Sequence, residues 1–123
     1  MRKLFFDTNF LIDLAKFKIE LEEILDFLEE PVEFFVLSSS IEELKKIARN
    51  KGKSGNMAKL ALKIIKLKKI EILEEKESPD KVFLRIADKN TIIATNDSNL
   101  RKKLKSLGIK TIYLRAKKYL EVM

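Results

Sequence analysis

The chain's 123 residues and 14.3 kDa fit one compact domain over 1–123 and are too few for two, while 46% apolar residues exclude a disordered polymer. It contains no Cys and no His, which removes disulfides, thiolate nucleophiles, imidazole bases and the usual zinc sites. Net charge is +7, so a partner of opposite sign is expected, and any catalysis rests on carboxylates, hydroxyls, amides, lysines or a bound cofactor.

Lys3-Leu4-Phe5-Phe6 reads as a short buried strand that ends at Asp7. Thr8 or Asn9 can cap a following helix that carries Phe10, Leu11, Leu14 and Ala15. Ile19 to Glu30 is a second helix, with Ile24, Leu25 and Leu28 on one face and Pro31 as its stop. Glu33 to Leu37 is a strand, and Ser38-Ser39-Ser40 offers caps for a helix from Ile41 to about Asn50. Lys51 to Gly55 reads as a loop. Met57 to Lys68 is then a helix expected to turn Leu60, Ala61, Ile64, Ile65 and Leu67 inward.

Ile70 to Leu73 is a strand, and Ser78-Pro79-Asp80 opens a helix through Val82, Phe83, Ile86 and Ala87, since proline at the first helical position forfeits no hydrogen bond. Thr91 to Ala94 is a continuous apolar strand. Ser98 is placed to cap a helix to Leu107, and Gly108 to end it. Lys110 to Leu114 is the last strand, and Ala116 to Met123 reads as a short helix or a packing tail. Apolar strands alternating with helices predict an α/β fold: three α/β/α layers around a parallel sheet of four to five strands.

Charge is distributed in blocks. Residues 1–44 carry a net −7, residues 45–70 a net +10, residues 71–97 a net −3 and residues 98–123 a net +7. Segments 45–70 and 98–118 are therefore candidate nucleic-acid contacts. The absence of Gln and Trp together with 37% charged residues suits a heat-adapted source. No apolar run approaches a membrane span, and Met1 to Phe6 reaches Asp7 too soon for a signal peptide, so a cytoplasmic protein is expected.

Ligands bind open parallel sheets beyond the carboxyl ends of the strands. Asp7 and Asp97 follow strands there, and Glu43 lies near the start of the helix after the second strand. Asp80 joins them only if the loop before it crosses back to that edge. Converging carboxylates repel one another unless a cation is present, and Mg²⁺ or Mn²⁺ takes oxygen ligands without His or Cys. Thr95 and Asn96 are candidate supports for those carboxylates. Glu42 competes with Glu43, one residue being about 100° of helix rotation. Asp88 sits at the far end of the helix from Asp80, while Asp13, Asp26 and the acids of 20–23 read as exposed helix faces.

Leu4-Phe5-Phe6-Asp7-Thr8-Asn9, Ile41-Glu42-Glu43-Leu44, Asp80 before Val82-Phe83-Leu84, and Ala94-Thr95-Asn96-Asp97 before Leu100-Arg101 follow in that order. Over essentially the whole chain this set resembles the PIN-domain family, most closely its archaeal and eukaryotic rRNA-processing branch. The resemblance implies strand order 3-2-1-4-5 and a divalent-metal ribonuclease. Its acidic quartet is Asp7, Glu43, Asp80 and Asp97, which implies metal ligands there, and Asn9, Thr95 and Asn96 match the supporting polar positions. One departure is Lys81, where the branch often has a second aspartate.

The implied activity is hydrolysis of RNA phosphodiester bonds, in rRNA processing with a ribosome-assembly partner or as a toxin held by an antitoxin. A catalytically silent RNA- or protein-binding scaffold is the rival, motivated by Lys81. A dehalogenase-type phosphatase would need Asp where Asn9 stands, and a receiver domain lacks its phosphoacceptor after Leu73. Tyr119, Leu120 and Val122 suggest an apolar patch for a homodimer.

Overall fold

Side chains alternate across a strand, so Leu4 and Phe6 of β1 (Arg2–Phe6) point to one side of the sheet and Phe5 to the other; all three are buried. β1 therefore serves two hydrophobic cores at once. In the computed structural model, which describes residues 1–116 and 119–123, it is an inner strand of a six-stranded sheet, paired in parallel with both β2 (Val32–Leu37) and β4 (Thr91–Ala94). β3 (Glu71–Leu73) extends the sheet beyond β2, and β5 (Lys110–Arg115) beyond β4, also in parallel. β6 (Tyr119–Val122) closes the other edge antiparallel to β5, giving the order β3-β2-β1-β4-β5-β6.

One core lies under α1 (Thr8–Lys16), α2 (Leu21–Leu28), α3 (Ser38–Ala48) and α4 (Lys53–Leu67), which contribute Phe10, Leu11, Ile24, Leu44 and Ala61. The other lies under α5 (Pro79–Ile86) and α6 (Ser98–Ser106), where Val82, Phe83, Leu100 and Leu104 meet Phe5 and Ile93. This is the expected α/β/α sandwich with the expected 3-2-1-4-5 order. The tail adds a sixth strand rather than the anticipated helix, because Leu120 opposite Leu114 packs against the first core.

Local differences have identifiable causes. Asp7, not Thr8 or Asn9, is the N-cap of α1; Asp97, not Ser98, is the N-cap of α6, and each uses its carboxylate to accept from the first helical amides. Ser38 to Ser40 lie inside α3, which follows Leu37 directly. α2 is shorter than read, because Glu29 turns left-handed at φ 56° two residues before Pro31.

The loop assigned to 51–55 is only its first half, for α4 begins at Lys53 and includes Gly55. A Cβ on Gly55 would fall 1.9 Å from the Asn50 carbonyl oxygen, so a close approach of the α3–α4 turn, not a loop, requires this glycine. Leu60 and Leu67, read as inward, are exposed, while Ala61 and Ile65 are buried as expected and Ala58 joins them on that face. β3 is half exposed because it is a sheet edge. Among the described residues no helix is long and apolar enough to cross a membrane.

Candidate active site

The parallel strands β1, β2 and β4 all end at one edge of the sheet, and the following helices α1, α3 and α6 start there. Asp7 is fixed at this edge by its amide, which donates to the Ala94 carbonyl at 2.9 Å, joining the ends of β1 and β4. Its carboxylate is held from two sides. Oδ1 accepts from the Thr8 amide at 2.9 Å, and Oδ2 accepts from the hydroxyl of fully buried Thr95 at 2.7 Å. The same Thr95 oxygen accepts from the Asp97 amide at 3.2 Å, so one threonine orders both aspartates. Asp97 Oδ1 in turn accepts from the amides of Asn99 and Leu100 at 2.9 and 3.2 Å.

Glu43 stands in the second turn of α3, because the helix begins at Ser38 rather than Ile41. The Thr8 hydroxyl donates to its Oε1. Asp80 occupies the first turn of α5, with Oδ1 accepting from the Ser78 hydroxyl at 2.9 Å. The loop after β3 does cross back: all four acids line one cleft of about 500 Å³, together with Thr8 and Asn9.

Burial pushes the Asp7 carboxyl above its ordinary value; the hydrogen bonds from Thr95 and Thr8 pull it down, and the charges of Glu43 and Asp97 push it up again. A site in which neighbouring charge disfavours ionisation is one that a cation would relieve. The donor set is all carboxylate and hydroxyl oxygen, the chemistry of hard divalent ions. The side chains line the cleft openly: among the described residues no three Asp or Glu groups converge closely enough to enclose an ion. The residue types fit such an ion, and the quartet shares one cleft without forming a closed cage.

A family model described as "PIN like domain" matches residues 4–117 of the chain. The chain belongs to the PIN-like domain family. This PIN-like domain is 35% identical to "Ribonuclease VapC4" of Methanocaldococcus jannaschii over 128 residues, covering 99% of the chain and 97% of that relative. Its fold matches the PIN domain endonuclease Utp24 with a TM-score of 0.79 at 25% identity, over 98% of this chain and 90% of that one. A domain of a functionally unknown protein from Methanocaldococcus jannaschii shares the fold at a TM-score of 0.65 and 19% identity, over 94% and 92% of the two chains.

Not every residue singled out from the PIN-like motifs faces the cleft. Asn9 lines it and is exposed. Asn96 turns away: its Nδ2 donates to Asp13 at 2.7 Å and its Oδ1 accepts from the Leu114 amide at 2.9 Å, tying α1 to β5 behind the site. Asp13 is thus a half-buried partner rather than an exposed helix acid. Glu42 pairs with Lys45 at 3.5 Å on the neighbouring face of α3, which leaves Glu43 as the inward acid. Lys81 is exposed, makes no ion pair among the described residues and does not line the cleft. Lys46 does line it, one turn after Glu43. Thr8, expected only as a helix cap, and Lys46, expected only as one member of the basic segment 45–70, both belong to the cleft. The three-residue spacing from Glu43 was the available signal for Lys46, because it puts both on one helix face.

Proposed function

We propose that this PIN-like domain is a divalent-metal-dependent ribonuclease that hydrolyses RNA phosphodiester bonds, the whole chain 1–123 acting as one domain. The observation that carries the reading is the placement of Asp7, Glu43, Asp80 and Asp97 around one cleft at the carboxyl edge of the parallel sheet. The names of a curated relative, a ribonuclease, and of a structural neighbour, an endonuclease, support it. In this reading the four acids hold Mg²⁺ or Mn²⁺. When bound, such an ion lowers the pKa of water and offsets charge on the scissile phosphate.

The protein's own contribution is to aim those oxygens. Thr95 and the Thr8 amide orient Asp7, the Thr8 hydroxyl orients Glu43, and the amides at the start of α6 orient Asp97. Asn9, exposed on the cleft wall, is placed to touch substrate. Asn96 is a positioning residue that holds β5 against α1. Segments 45–70 and 98–118 supply backbone contacts to RNA, which are blind to sequence and sensitive to salt; Lys46 is the member of the first segment on the cleft wall, and positions 117 and 118 of the second lie outside the described residues.

Two physiological roles suit this activity: rRNA processing alongside a ribosome-assembly partner, or toxin action restrained by an antitoxin. Sequencing of RNA crosslinked in cells separates them. A homodimer in the cytoplasm is a further proposal, although Tyr119 and Val122 lie on opposite faces of β6 and so form no single patch with Leu120. The ribonuclease reading is tested by incubating purified protein with several RNAs and Mn²⁺. It expects cleavage that chelator abolishes and Asp97→Asn loses. RNA binding without cutting, indifferent to Mn²⁺ and to Asp97→Asn, would establish the inactive PIN scaffold instead.

A further inference from the structure

The pairing of β5 with β6 sets Tyr113 opposite Glu121 and Arg115 opposite Tyr119, so these four side chains share one face of the ribbon. Ile112, Leu114 and Leu120 take the other face, toward the first core. α6 covers the near part of the first face, where the Arg101 guanidinium carbon lies 3.9 Å from the centroid of the Tyr113 ring. Beyond it the face is open. Tyr119 is 58% exposed, and the Arg115 guanidinium carbon sits 5.9 Å from its ring centroid. Arg115 also pairs with Glu121 at 2.8 Å, through one of its five N–H donors. Arg101 makes no ion pair among the described residues.

This face stands next to the cleft. Ala94, the last residue of β4, is level with Ile112, and β5 runs on past it. The Leu114 amide reaches the Asn96 side chain, so Tyr113 and Arg115 run beside the segment that ends in Asp97. From the α6 side, the Arg101 amide donates to the Asp97 carbonyl. Arg101 therefore follows a proposed metal-binding acid by one turn of α6, roughly 5.4 Å of rise along the helix.

The Arg101–Tyr113 stack and, beyond it, the exposed Tyr119 ring beside Arg115, with one acid among them, offer a flat π-surface for bases and cations for phosphates. A duplex keeps its bases stacked inside and cannot use such a surface, whereas an unpaired strand can splay them onto it. We propose that the outer face of β5–β6, built from Arg101, Tyr113, Arg115 and Tyr119, is a base-stacking platform that feeds single-stranded RNA into the acidic cleft. The inference rests on the ribonuclease reading and deepens it by naming the surface of this chain that holds the bases of the RNA strand.

Binding of a single-stranded oligoribonucleotide carrying 2-aminopurine, and of the same sequence as a duplex, is measured in metal-free buffer for the full chain, Tyr119→Ala and Tyr119→Phe. The single strand is expected to bind more tightly than the duplex, with 2-aminopurine fluorescence quenched on binding. Tyr119→Ala should weaken it roughly tenfold and abolish the quenching, whereas Tyr119→Phe, which keeps the π-face, should retain both. Unchanged melting temperatures guard against unfolding, since the ring is largely exposed. Equal affinity of wild type and Tyr119→Ala, a preference for duplex, or a Tyr119→Ala change that only splits a dimer overturns the platform. Mn²⁺-dependent cleavage by the same wild-type sample separates the two readings. Stacking without cleavage overturns the nuclease alone, and cleavage with no effect of Tyr119→Ala on binding overturns the platform alone.

Discussion

Thr95→Val removes one buried hydroxyl at nearly constant shape. In the native protein that hydroxyl donates to Asp7 Oδ2 at 2.7 Å and accepts from the Asp97 amide at 3.2 Å. A hydrogen bond to a charged group contributes about 1.5–3 kcal/mol, and an amide left without its partner costs roughly 1 kcal/mol more, so the expected loss is roughly 2.5–4 kcal/mol. For a domain of this size that lowers Tm by roughly 10–16 °C. Most of the loss belongs to the ionised form of Asp7. The hydrogen bond pulls that carboxyl down, so its removal raises the folded-state pKa further. The resulting deficit is present where Asp7 is ionised and fades as pH falls toward the ordinary carboxylate value of 3.8. Thermal denaturation in chelator at about pH 8 and about pH 4 should show the larger deficit at the higher pH. In an Asp7→Asn background a neutral hydrogen bond of about 0.5–1.5 kcal/mol replaces the charged one, and the unpartnered Asp97 amide remains, so the deficit shrinks. An equal Thr95→Val deficit at both pH values and in both backgrounds would refute the coupling.

Asp7→Asn itself should make the metal-free protein more stable at neutral pH while abolishing cleavage. Desolvation raises the folded-state pKa of Asp7, so the folded state binds more protons than the unfolded one and stability falls as pH rises from the ordinary value through the raised one; denaturation curves across pH in chelator check the sign. Glu43→Gln should remove Mn²⁺-dependent activity and Glu42→Gln should leave it, because only the former lines the acidic cleft; parallel cleavage assays decide. Lys46→Met should reduce the slope of log affinity against log salt for single-stranded RNA by about 0.7, the value of one lost phosphate contact; an unchanged slope removes Lys46 from the substrate path.

The sequence made the layered fold and the shared edge of Asp7, Asp97 and Glu43 legible for a physical reason, but not the return of the loop that brings Asp80 to it. β1 ends in the apolar run Leu4-Phe5-Phe6, β4 is buried throughout, and each is followed by an acid near its carboxyl end, so chain order alone implied which edge held Asp7 and Asp97. Pro79 marked the start of α5 and hence Asp80. What could not be read were facts of tertiary approach. The Asn96 side chain serves Asp13 and Leu114 instead of the cleft because β5 runs past the end of β4. Gly55 reads locally as a loop residue, whereas it is the Asn50 carbonyl packed against it that requires a glycine there. The last residues form a strand because Leu120 finds Leu114, a pairing that no local periodicity encodes. Leu60 and Leu67 are apolar yet exposed, since α4 packs on α1 and α3 and buries its small residues, Ala58 and Ala61.

The most direct test is a crystal of the protein soaked in Mn²⁺ and measured for anomalous scattering. The account predicts a peak inside the cleft, within coordination distance of Asp7 and at least one of Asp97, Asp80 and Glu43, and its loss in Asp7→Asn crystals. A map with no peak in that cleft at saturating Mn²⁺, or with the ion bound elsewhere, would contradict it.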